Sequence, residues 1–312
     1  MRHFFPTIVI VAVLLIGITE NSQGKSQKEE VQLTQAEQKM VFSQYERIRK
    51  ICGMEGKDGE ISIQKGITSF EAMGELIEIS DKEITIEVSP KTGEVVSVYI
   101  PAVTKELKNW RKNTPEITSP TKEANQIKQI ALKYIKLITE KPLPSNFVLS
   151  KIRYNYNDKT RDKGSWYIIW RRTLNGYEYQ NDAISVSIVD YSGKLESFFS
   201  KTASEECPTE TRITRENAER IAIAKASSVA GRIYTLYYGK PKNPTIFSVK
   251  LMIVNPNGFF EGKLGDYYST PKCRLAYVIR VNFEVEPPTE SVWIDVYVDA
   301  NTGGVLGGSC VL

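Results

Sequence analysis

The chain has 312 residues, 41% hydrophobic and 25% charged, the balance of an ordinary globular protein with room for two or three small cores; extensive disorder away from the ends is excluded. Its formal net charge of +4 is mild, and the basic residues are scattered among acidic ones rather than gathered in a stripe, which argues against nucleic acid as a partner. The one histidine is His3, at the extreme N-terminus, so the body of the chain lacks the residue needed for Ser-His-Asp or Cys-His nucleophiles, histidine general bases and His-ligated zinc.

Arg2 and His3 precede an apolar run over residues 8–18, then polar residues and Gly24. This is the order of a secretory signal peptide, residues 1–24, and Ser22 with Gly24 meets the small-x-small requirement for cleavage after Gly24. The alternative is an uncleaved N-terminal membrane anchor, for which the run is short against the roughly 20 residues a bilayer needs. No later segment is long and apolar enough to span a membrane, so the expectation is a secreted or periplasmic body with no membrane span in the mature chain.

Residues 25–30 read as a tether. A helix is predicted over 34–51, with Thr34 as N-cap, Glu37 completing a capping box, and Met40, Val41, Tyr45, Ile48 and Ile51 on one face. Short strands follow near 60–63 and 70–80, then a hairpin over 84–98. Residues 101–119, with Trp110 and Pro115, read as a linker. A second helix, capped by Ser119 or Thr121, carries Ile127, Ile130, Ala131, Tyr134, Ile135 and Ile138 on one face. Strands near 147–155, 166–174 and 183–189 come next, with an Asn175-Gly176 turn before the last of these. Thr214 caps a third helix that Gly231 closes, and strands near 245–254, 276–285 and 291–298 complete the chain. Between the first two of these lies an irregular insertion, 255–272, with paired aromatics Phe259, Phe260, Tyr267 and Tyr268; long loops often carry function.

One phrase recurs. Residues 84–98, 184–198 and 292–306 each alternate apolar and polar residues, pass through a polar turn and resume as a strand after Gly93, Gly193 or Gly303. The second copy has one residue fewer between its last valine and its glycine. The copies recur about every hundred residues, a domain-sized period. The expected organisation is therefore α+β, with tandem helix-on-antiparallel-sheet repeats over 25–117, 118–205 and 206–312.

These residues resemble the PepSY family, found in propeptides of thermolysin-type metallopeptidases and in many exported bacterial proteins. The pattern is carried by Thr214 with the alanine-bearing helix through Ala218 and Ala222, and by Val296, Tyr297, Val298, Asp299, Ala300, Thr302, Gly303 and Val305. The second repeat is more similar to the related YcdB/YcdC-type repeat, through Trp166, Trp170, Arg171, Asn175, Gly176, Asp182 and Ile184. Together these cover most of 118–306; the first repeat is more divergent, its strands before Ile84 being short and glycine-broken. The resemblance implies a cystatin-like module, export, and an association with peptidase inhibition or envelope regulation, with no catalytic residues and no cofactor to transfer.

Four cysteines, Cys52, Cys207, Cys273 and Cys310, allow two disulfides in three connectivities, with a bridge inside the last repeat favoured over buried free thiols. Glu284 and Glu286 share a strand face near Asp295 and raise carboxylate-pair hydrolysis, weighed against an ordinary acidic sheet surface. Asp190 and Asp299 read as turn residues capping local amides. Trp166, Ile168 and Trp170 alternate as a core face does, leaving Tyr167, Ile169 and Arg171 on the opposite face as a candidate contact surface, together with Phe259, Phe260, Tyr267 and Tyr268. The leading expectation is a secreted, non-enzymatic protein that binds another exported protein, such as a peptidase. The rivals are a cell-wall or small-ligand binding module, requiring a pocket at the aromatic insertion, and a carboxylate-dependent hydrolase.

Overall fold

The Thr34 hydroxyl accepts from the Glu37 amide at 3.2 Å while the Glu37 carboxylate accepts from the Thr34 amide at 2.8 Å, the reciprocal cap expected of this sequence. The computed structural model describes residues 33–54, 60–67, 75–114, 119–157, 162–202, 207–262, 272–285 and 292–310; the leader, the tether, Tyr267, Tyr268 and Glu286 lie outside them. From its cap, α1 (Gln35–Ile51) buries Val41, Tyr45 and Ile48 against a meander of β1 (Ser62–Ile67), β2 (Glu75–Ser80), β3 (Thr85–Val88) and β4 (Val95–Tyr99). After α2 (Pro101–Asn113), the order of one helix and four antiparallel strands returns as α3 (Ala124–Thr139), β5 (Phe147–Asn157), β6 (Asp162–Leu174), β7 (Tyr177–Val189) and β8 (Leu195–Lys201). It returns again as α4 (Arg215–Tyr238), β9 (Lys242–Val254), β10 (Arg274–Glu284), β11 (Val292–Asp299) and β12 (Val305–Cys310). The fold is α+β.

Strand β4 pairs with β8, so the first two meanders form one continuous sheet of eight strands. Its helix-facing side is apolar from edge to edge. Ile63, Ile79, Ile86, Val98, Phe198, Val186, Ile168 and Ile152 stand directly across from one another on successive strands, under α1, α2 and α3. The strands of the third meander pair with one another over α4, whose Ala218, Ala222 and Ala226 let the helix lie close. A parallel bridge from Tyr179 to Ile253 ties β7 to β9.

The three glycine hairpins are one device. The amide of Ser89, Val189 or Asp299 donates to the carbonyl just past the glycine, and the glycine amide donates back, all at 2.8 to 3.0 Å. Gly93, Gly193 and Gly303 hold φ of +69°, +70° and +76°, a left-handed conformation that other residues adopt only with strain. Each turn lies beneath its own helix: a Cβ would stand 3.6 Å from Met40, 3.4 Å from Ile130 and 3.6 Å from Ile221 respectively. The apparent one-residue deletion in the second copy is thereby corrected. The turns have equal length, and Val189 simply occupies the place of Ser89 and Asp299.

Other local readings are corrected by packing. Residues 101–113 are helix rather than linker: Pro101 sits at N1, where its fixed φ is preorganised, and Val103, Leu107 and Trp110 turn inward. Trp110 stacks on Tyr191 with centroids 4.8 Å apart, and Gly164 on β6 makes room for it, since a Cβ there would come within 2.5 Å of the indole. The cap of α3 is Glu123, not Ser119 or Thr121. Helix α4 runs through Gly231 and ends at Gly239, because buried Tyr234 beyond the glycine donates from its hydroxyl to the Trp293 carbonyl and pins the last turns; this outweighs the roughly 1 kcal/mol that an interior glycine costs. Strand β7 begins at Tyr177, six residues before the expected start, and its register shift opposite Arg171 bulges residues 179–182 out of the pairing with β6. β1 likewise begins two residues late and β2 five.

Candidate contact surface

Alternation along β6 sends Trp166, Ile168 and Trp170 into the core, each less than a tenth exposed, and Tyr167, Ile169 and Arg171 to the other side of the sheet, where all three are half-buried. The register places this patch at one end of two rows that cross all eight strands. One row runs Gln64, Glu78, Glu87, Ser97, Phe199, Ser185, Ile169, Lys151; its neighbour runs Ser62, Ser80, Thr85, Tyr99, Ser197, Ser187, Tyr167, Arg153. This face, free of helices among the described residues, is acidic at β2 and β3, small and polar with aromatics in the middle, and basic at β5 and β6. Tyr99, 44% exposed, is a large apolar ring on it that the sequence reading missed. Burial pushes the Glu87 carboxyl up, opposed by the Ser97 hydroxyl and reinforced by Glu78 opposite.

At the basic end Arg171 donates to the carbonyls of Tyr179 and Gln180, which the β7 bulge turns toward it, and lies 3.8 Å from Glu178. Arg153 donates from Nη2 to Asn155 at 3.1 Å, while its buried Nε has no hydrogen-bond partner among the described residues. Desolvation, then the charges of Arg153, Arg171 and Lys250, push the Lys151 ammonium down, so β9 brings a fourth cation to this corner. Lys151 and Arg153 were legible in the alternation of β5, where Ile152 and Tyr154 face the core. Lys250 was not, because its approach depends on how β9 meets β7.

The aromatic insertion is no open patch over its described part. Phe259 and Phe260 form a short 3-10 helix with Glu261, half-buried against the core between α4 and its strands, and meet edge to face with centroids 4.9 Å apart. Just before them Asn257 imitates a strand: its side chain accepts from the Gly308 amide and donates to the Gly308 carbonyl, both at 3.0 Å, and its own amide donates to Leu306 at 2.9 Å. Gly307 permits that approach, since a Cβ there would run into Asn257, and Gly308 leaves room for both phenyl rings, which a Cβ would meet at 3.0 Å. The segment therefore covers the outer edge of β12.

Cys207 and Cys273 form a disulfide with Cα atoms 5.6 Å apart, so the expected bridge within residues 206–312 is present. Cys52 and Cys310 are free thiols, pushed up by burial to about 12 and about 11, and so protonated at neutral pH. The carboxylates do not converge. Arg280 clasps Asp295 through two bonds of 2.8 Å and stacks over Trp293 at 3.7 Å, whereas Glu284 lies four residues farther along β10 and accepts from Asn243 at 2.7 Å. That spacing along a strand is roughly 13 Å, beyond the usual separation of a hydrolytic pair. Asp299 caps its own turn, accepting from the Asn301 and Thr302 amides. Asp190, expected to do likewise, reaches the entry of α3 instead, accepting from Thr121 and Lys122 amides, the Thr121 hydroxyl and the Trp166 indole.

No family model and no curated protein matches the chain. Among solved structures it is similar to the Bacillus megaterium YpeB C-terminal domain, with a TM-score of 0.40 and 11% identity over 91% of this chain and 100% of that one. Among the described residues, no helix is long and apolar enough to cross a membrane.

Proposed function

We propose that this is a secreted, non-enzymatic protein of three PepSY-like repeats that binds another exported protein through the helix-free face of its eight-stranded sheet. The observation that carries the reading is the contrast between the two faces. One is an unbroken apolar row under three helices; the other presents Tyr99, Tyr167 and Ile169 between acidic and basic ends. An aromatic and apolar strip with charged margins is the composition of a contact surface. The three identical glycine hairpins, each under its own helix, support descent from one repeated module. The Cys207–Cys273 disulfide supports an oxidising compartment, in keeping with the leader-like residues 1–24. A peptidase is one candidate partner, and inhibition one possible consequence of binding.

The test is affinity capture from the secreted or envelope fraction of the source cells, using the purified protein as bait and mass spectrometry as the readout. A partner recovered by the intact protein and lost with a Tyr99→Ala, Tyr167→Ala double variant is the expected result. Recovery of no protein would remove the reading.

A further inference from the structure

Strand β5 pairs with β6 alone among the described residues, which leaves its other edge open over the regular stretch from Lys151 to Asn155. On the helix-free side this edge offers Lys151 and Arg153, with exposed Lys250 of β9 adding to the same positive potential. On the opposite side it offers Ile152 and Tyr154, partly buried at the margin of the core. Glu178 is engaged with Arg171 on the next strand and with Ser150 at the bulge, and among the described residues neither Lys151 nor Lys250 has an ion-pair partner. A strand added at an open edge places its alternate side chains directly across from those of its neighbour.

Resting on the protein-binding reading above, we infer that the partner's docking segment is an acidic extended strand that pairs with the free edge of β5. Its carboxylates at alternate positions face Lys151 and Arg153, Lys250 reaches the same side, and its intervening apolar residues lie beside Ile152 and Tyr154. Charge alone would accept any polyanion; the alternation of cations and apolar groups along an open strand edge selects a peptide. Lysine at an edge also deters edge-to-edge aggregation, and a merely protective edge would not bind such a peptide.

Fluorescence anisotropy with a labelled, end-capped peptide of alternating glutamate and valine decides the matter. The expected result is salt-sensitive binding that weakens about tenfold in the Lys151→Glu, Lys250→Glu double variant and stays unchanged in Lys82→Glu, a charge reversal at the far end of the sheet. Unchanged thermal unfolding in the variants verifies that the fold is intact. Absence of binding, equal binding of an alternating lysine and valine peptide, equal weakening by Lys82→Glu, or equal competition by inorganic polyphosphate and by a backbone N-methylated glutamate and valine peptide would each overturn the inference. The double variant also enters the capture experiment. A partner held equally well by it and by the intact protein sinks the acidic strand alone, whereas failure of the intact protein to capture anything sinks the broader reading.

Discussion

The two junctions between successive helix-and-meander units are built in opposite ways. Between the first and second, β4 zips onto β8, α2 is wedged beside the seam, and one core of side chains from both units lies beneath. Between the second and third, the tip of β6 and β7 inserts Tyr179 into a small cluster with Ile253, Leu275, Ala300 and the Cys207–Cys273 bridge. Arg172 covers the Tyr179 ring at 4.5 Å and pairs with buried Asp182 at 3.1 Å. The first junction is a shared sheet and should unfold as a unit; the second is a localised clasp, and its cross-link compensates for little shared core.

The largest effect should come from the seam. Phe198, 1% exposed between Val98 and Val186, loses about 3–5 kcal/mol of stability on replacement by alanine, and hydrogen exchange should show α1 and α3 losing protection together. Loss confined to α3 would break the claim of a fused region. Removing the clasp's cross-link with Cys207→Ser and Cys273→Ser should cost about 2–4 kcal/mol, read as faster exchange in α4 and β9 to β12 with α1 unaffected.

Next is acid. Burial would raise the carboxyls of Asp81 and Asp190, but hydrogen bonds from Tyr45 and two amides to the first, and from Thr121, Trp166 and Lys122 to the second, hold both below the ordinary value. Their contribution is therefore complete above about pH 4, the value in an unfolded chain, and is lost as pH falls through the lower folded values. Both lie in the fused region, so thermal unfolding followed by exchange should show 33–202 losing stability first below pH 4, and Asp190→Ala should cost about 2 kcal/mol at neutral pH. The smallest effect should be the most uniform: Gly93→Ala, Gly193→Ala and Gly303→Ala each lose about 1–2 kcal/mol in urea titrations, because the same positive φ is strained three times. Unequal losses would show that the hairpins differ despite their matching hydrogen bonds.

Much of the candidate surface was legible before the fold was known. The outward placement of Tyr167, Ile169 and Arg171 follows from strand alternation, and so did that of Lys151 and Arg153, had β5 been read the same way. Tyr99 lies one residue past the hairpin expected over 84–98, and its pairing with Ser197 of β8 could not be read locally. The packing of Phe259 and Phe260 on a glycine-bearing strand could not be read locally, because an aromatic pair in a loop reads alike whether it meets solvent or packs. Residues 101–113 were misread because prolines at 101, 115 and 120 suggested a linker, although Pro101 at a first helical turn starts a helix.

Sequence by itself determined the caps at Thr34 and Thr214, the three glycine turns, and which side of most strands is apolar. These depend on a few neighbouring residues, through backbone angles and short periodicities. Tertiary structure alone decided that β4 continues into β8, that Asp190 holds the entry to α3, that Asn257 closes the edge of β12, and that Lys250 joins the cations of β5. Each of these joins groups about fifty or more residues apart, and such contacts form only when distant surfaces bury one another.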